Sequence, residues 1–209
     1  MNATTDDLDH VYGATSPEES REIYDGWAVS YEADNLKKGF RLPSLAAGFF
    51  ARYMGDRDGP VLDAGCGTGL VGETLNVLGY GPLTGCDLSP DMLRIAEGRG
   101  VYDSLIEAEL GKPLPFKDEA FAGFACVGSF GPGHAPAHSL HELARLTRAG
   151  GIGVFNLIEA TYEEQGFPQV MDDLTKAGTW ELAGMSPPFQ PYLLGEKDLW
   201  GRLYAMRVL

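Results

Sequence analysis

The chain has 209 residues, 44% hydrophobic and 22% charged, which suits one domain with a substantial core; a second full domain is not expected. Sixteen Lys and Arg against 30 Asp and Glu give a net charge of −14, so neither a nucleic acid nor a membrane is expected as a partner. Three cysteines (Cys66, Cys86 and Cys126) in apolar or glycine-rich surroundings, with no His at ligand spacing, read as reduced thiols and not as a disulfide framework or metal site; with no basic-then-apolar leader and no 18-residue apolar run, a cytoplasmic protein is expected.

Residues 1–15 are polar and read as a flexible tail. Ser16, Pro17 and Glu19 then make a helix start: an N-cap, a proline at the first position and a capping box. Ile23, Tyr24, Trp27, Ala28 and Tyr31 fall on one face of the helix that follows, and Pro43 opens a second helix ending near Gly55. From residue 60 short apolar strands alternate with amphipathic helices. The strands are Val61–Ala64, Leu83–Asp87, Leu105–Ala108, Phe121–Val127 and the run from Gly151 to Glu159. Between them lie a helix carrying Val71, Leu75 and Leu78, a helix capped by Ser89, and a helix over Ala137–Arg148. A last helix near Val170–Ala177 precedes two closing strands, "TWELAG" and "RLYAMRVL". This order predicts an α/β fold, a mainly parallel sheet with helices on both faces, over residues 60–209, with residues 16–59 as a helical cover. Nothing in the sequence specifies an oligomeric state.

The first strand runs into "VLDAGCGTGLVG", residues 61–72, where ligands of such sheets bind. Gly67, Gly69 and Gly72 match the dinucleotide pattern, which places a pyrophosphate at the helix N-terminus. The charges here are wrong for that. No Lys or Arg lies between Arg57 and Arg94, whereas Asp63, Glu73, Asp87 and Asp91 do. A carboxylate at the tip of strand one suits a cation such as an amino acid's ammonium, reached directly or through water. Asp87, ending strand two, suits a ribose diol, and Glu109, after strand three, an adenine amino group. S-adenosylmethionine has all three groups and no phosphate. Each residue also has a plain structural alternative: Asp63 as a turn cap, Asp87 as a cap beside Ser89, Glu109 as an exposed glutamate, and the Tyr24, Trp27 and Tyr31 stripe as core.

With these residues in view, the chain resembles the class I S-adenosylmethionine-dependent methyltransferases. The resemblance rests on "VLDAGCGTG", "GCDLSPDML", "PLPFKDEAF" and "LHELARLTRAGGIGVF"; more narrowly, "IYDGWAVSYEADN" and "VGSFGPGH" resemble the methyltransferase-like proteins of the Williams–Beuren region. It implies a Rossmann-like seven-stranded sheet whose last strand is antiparallel. It further implies a cofactor site in which the backbone of Gly65, Cys66 and Gly67, beside Thr68, approaches S-adenosylmethionine, with Asp63 near the ammonium. Asp87 would hold the ribose, Leu88 and Met92 flank the adenine, and Glu109 with Leu110 meet its edge. Val127 and Gly128 would lie by the methionine end, covered by Tyr31. Departures from the pattern are Ala122 after Phe121, Gly128 where an acid is common, and Glu109 for an Asp.

The implied reaction is methyl transfer from S-adenosylmethionine, leaving S-adenosylhomocysteine; the resemblance does not identify the acceptor, and a small molecule is the leading expectation. Trp27 and Phe130 are candidates to line an apolar acceptor pocket. His134, in the loop after strand four, is the candidate general base or an ordinary loop histidine. The alternatives are a nucleotide-dependent oxidoreductase and a protein that holds the cofactor without turnover.

Overall fold

The computed structural model describes residues 14, 16–55, 58–131 and 133–209. The expected tail over 1–15 lies outside the described residues, apart from Ala14. The described residues form seven α-helices and seven strands: α1 (Pro17–Trp27), α2 (Tyr31–Lys37), α3 (Leu42–Met54), β1 (Asp58–Ala64), α4 (Leu70–Val77), β2 (Gly81–Asp87), α5 (Pro90–Gly98), β3 (Ser104–Glu107), β4 (Phe121–Cys126), α6 (Ser139–Leu146), β5 (Thr147–Ile158), α7 (Phe167–Lys176), β6 (Trp180–Met185) and β7 (Gly201–Val208).

The strands make one sheet in the order β3-β2-β1-β4-β5-β7-β6. The pairs from β3 through to β5 are parallel; β7 runs antiparallel to both β5 and β6. Alternation along each strand builds two cores. Leu62, Phe124, Cys126, Phe155 and Met206 point to one face and pack with Leu140 and Leu143 of α6 and Trp180. Their neighbours Val61, Ala125, Ile152, Val154 and Ala205 point to the other and meet Phe50 of α3 and Leu75 of α4.

Local signals explain most boundaries. Ser16 Oγ accepts the Glu19 N–H at 3.2 Å and Ser89 Oγ the Met92 N–H at 3.1 Å, capping α1 and α5. α7 begins three residues before the expected start, because Gly166 takes φ +76° and Pro168 sits in the first turn. Two expectations need larger correction. The aromatic helix does not run through to Tyr31. It ends at Trp27, turns over residues 28–30 and restarts as α2, with the Trp27 carbonyl accepting the Ser30 N–H at 3.0 Å. The helix expected to reach Arg148 ends at Leu146, and β5 begins directly at Thr147, paired with Phe121.

α3, the last helix of the expected cover, buries Ala46, Ala47 and Phe50 against the sheet. Above the site lie α1 and α2. The long β6–β7 connection returns to hold α2: Tyr192 donates its hydroxyl to Asn35 Oδ1 at 2.8 Å, and the Pro191 carbonyl accepts the Arg41 N–H at 3.0 Å.

Candidate cofactor site

The chain order reverses between β1 and β4, and the loops leaving their carboxyl ends part to form a crevice. The glycine loop is pinned across its base: the Cys86 carbonyl accepts the N–H groups of Gly65 at 2.8 Å and Cys66 at 3.0 Å. Gly65 takes φ +71°, and a Cβ there would stand 2.1 Å from Ser129 Oγ, so only glycine lets the loop lie against the β4 end. Gly67 takes φ +52°, and a Cβ on it would meet open space: the backbone is bared to a ligand.

Asp87 joins the two strand tips. Its Oδ2 accepts the Gly67 N–H at 2.8 Å and its Oδ1 the Ser89 N–H at 2.9 Å. The Leu88 N–H is directed at the same carboxylate, whose two oxygens offer about four lone-pair positions in all, so acceptor capacity remains for a ligand hydroxyl. Burial pushes this carboxyl above the usual carboxylate range, opposed by the donations from Ser89, Gly67 and Leu88. The structural and the ligand readings of Asp87 are therefore compatible in one side chain.

These elements line a cavity of about 980 Å³, mouth included. Gly65, Cys66, Gly67 and Thr68 form its floor, and Asp87, Leu88 and Met92 one side. Glu109 and Leu110 stand beyond β3, Glu109 pairing with Lys112 at 2.6 Å. Val127, Gly128 and His134 close the β4 end, and Tyr31 comes from the cover. Asn156, buried in β5, accepts the Gly128 N–H at 2.6 Å and fixes that corner.

Three expected residues are placed elsewhere. Asp63, 1% exposed, does not line the cavity. It takes the Tyr102 hydroxyl on Oδ2 at 2.6 Å behind the loop, and burial raises its carboxyl to about 7. Trp27 is buried beside Tyr192, its indole N–H donated to Asp34 Oδ2 at 3.2 Å. Phe130 belongs to the core, with ring centroids 5.1 Å from Phe167 and 6.0 Å from Phe155. Neither reaches the cavity wall.

The sequence did not single out the ties that fix α1 over the mouth. Ser20 Oγ donates to the Gly133 carbonyl at 2.5 Å, Ser89 Oγ donates to Asp25 Oδ1 at 2.5 Å, and Arg21 pairs with Glu107 at 3.0 Å. The Tyr24 hydroxyl lies 3.0 Å from His134 Nε2. Helical periodicity placed Tyr24 on the right face; nothing local signalled its partner 110 residues away.

Residues 62–155 match the methyltransferase domain family. The human methyltransferase-like protein 27 is 32% identical over 181 residues, covering 82% of this chain and 72% of that protein. A bovine 18S rRNA (guanine-N(7))-methyltransferase is 42% identical over 67 residues only, 32% of this chain and 23% of that one. A chain in the complex between the Haloferax volcanii Trm112 methyltransferase activator and a methyltransferase superposes with a TM-score of 0.66 at 19% identity, covering 88% of this chain and 97% of that one. The chain belongs to the class I S-adenosylmethionine-dependent methyltransferases, in the methyltransferase-like subgroup of the Williams–Beuren region. Methyl transfer from S-adenosylmethionine is thus its chemistry, and the dinucleotide reading of Gly67, Gly69 and Gly72 falls away. No helix among the described residues is long and apolar enough to cross a membrane.

Proposed function

We propose that the protein methylates a small molecule that enters the cavity beneath α1. The observation that carries this is that one helix, through Ser20, Arg21, Tyr24 and Asp25, is tied across the cavity by four polar contacts to three different parts of the core. A concave cavity roofed on one side by a single helix suits an acceptor of small-molecule size. The net charge of −14 also opposes an RNA acceptor. The segment shared with the rRNA enzyme is short.

The donor, when bound, supplies a methyl group already activated on a sulfonium, so the chain's own work is placement. The loop backbone at Gly65–Gly67 and the carboxylate of Asp87 hold the nucleoside. Val127 and Gly128 set the end of the cavity where the acceptor must lie. The imidazole of His134, oriented there by its hydrogen bond to Tyr24, takes the proton from an acceptor hydroxyl or ammonium. The test is incubation with methyl-tritiated S-adenosylmethionine and a cell extract split into low-mass metabolites, total RNA and protein. Label in the low-mass fraction supports the proposal; label confined to RNA or protein overturns it.

A further inference from the structure

Gly72 completes the pattern begun by Gly67 and Gly69, yet it lies inside α4, away from the cavity wall. A Cβ on Gly72 would stand 2.1 Å from the Tyr102 hydroxyl oxygen and 2.4 Å from its Cζ. One on Gly69 would stand 3.0 Å from Tyr102 Cε2, and one on Gly85 3.1 Å from Cε1. Three glycines from the loop, α4 and β2 thus leave a slot shaped for one tyrosine, and at its end the hydroxyl donates to Asp63 at 2.6 Å. Arg99, three residues earlier, works on the same loop. Its Nε donates to the Thr68 carbonyl at 2.5 Å, Nη1 pairs with Glu73 at 2.6 Å, and Nη2 pairs with Glu32 of α2. The Arg99 side chain is only 13% exposed, and neither residue lines the cavity.

We infer that Arg99 and Tyr102 are positioning residues for the methyl donor, bracing the glycine loop from behind and tying it to the cover helix α2. The inference rests on the reading that S-adenosylmethionine lies against this loop. A loop with glycine at three of five positions is free to wander, and each conformation it samples must be given up on binding. Tyr102 holds the strand tip through Asp63, Arg99 holds the Thr68 carbonyl, and the Gly65–Gly67 backbone between them is preset. Arg99 also couples loop and roof, because Glu32 and Thr68 meet on one guanidinium.

The test is calorimetric titration of the full chain with S-adenosylhomocysteine, joined to amide hydrogen exchange over residues 65–69. Tyr102→Phe keeps the ring in its slot and removes the hydroxyl; Arg99→Lys keeps the charge and loses the fork. Each is expected to weaken binding about tenfold and speed exchange in the loop, the size of one lost hydrogen bond. Arg94→Ala, on the exposed side of α5, is expected to change neither. Wild-type affinity in both Tyr102→Phe and Arg99→Lys overturns the inference while leaving the cofactor reading standing. Silence from the wild type overturns the cofactor reading itself, and the inference with it. Should Tyr102→Phe fail to fold, Arg99→Lys decides the matter alone.

Discussion

Asp87 Oδ2 accepts the Gly67 N–H at 2.8 Å, so the residue proposed to hold a ribose also holds the loop that floors the cavity. On that proposal one side chain serves two tasks, and replacing it is expected to damage both. In Asp87→Asn one oxygen gives way to an amide NH₂, which confronts the N–H of Gly67 or Ser89 as donor against donor. Affinity for S-adenosylhomocysteine is expected to fall about 100-fold, from loss of charge-assisted acceptance together with a disordered loop. Calorimetry of the variant checks this; a change under threefold contradicts it.

Gly65→Ala puts a Cβ 2.1 Å from Ser129 Oγ at φ +71°. The expected cost is about 1–3 kcal/mol of stability, roughly 2–10 °C in melting temperature, with cofactor binding abolished. Adding Ser129→Gly removes the clash but not the backbone strain, so thermal melts should show partial recovery only. Full recovery contradicts the assignment of strain to residue 65.

Tyr24→Phe and His134→Ala both act at the proposed acceptor end of the cavity. They are expected to leave the S-adenosylhomocysteine dissociation constant within about twofold, while lowering methyl transfer about 10- to 100-fold for an acceptor that must lose a proton. Single-turnover rates with a labelled acceptor from the low-mass fraction measure this. Equal loss of binding and rate would assign the pair to the cofactor instead.

Burial holds the Asp63 carboxyl at about 7, against an ordinary value near 3.9. Between those values the folded state keeps a proton that the unfolded chain releases, so stability falls as pH rises from about 4 to about 7 and levels off above. The full effect is on the order of 4 kcal/mol. Asp63→Asn keeps an acceptor for Tyr102 and has no proton to lose. Its melting temperature is expected to gain on the wild type steadily between pH 4.5 and 7, then run parallel. A constant offset across that range contradicts the origin given for the shift.

The course of the chain was legible where local chemistry sets it: capping serines, alternating strands and the glycine loop. Direction of side chains was legible less often. Asp63 stands at the tip of β1, where an acid facing the ligand is a fair expectation. It also lies two residues after Val61, whose face packs under α4, and that parity turns it behind the loop toward Tyr102, 39 residues away. Trp27 and Phe130 were right in position and wrong in destination, because a large aromatic at the edge of a cavity gains more from closing the core than from lining an opening. The roof depended on pairings no local pattern carries, such as Asp25 with Ser89 and Arg99 with Glu32.

That Asp87 and the glycine loop hold S-adenosylmethionine is tested most directly by titrating the wild type and Asp87→Ala with S-adenosylhomocysteine, S-adenosylmethionine and NADH in one calorimetric series. Micromolar binding of both sulfur nucleosides, lost in the variant, and no heat from NADH are the expected results. Binding of NADH with silence from the sulfur nucleosides contradicts it.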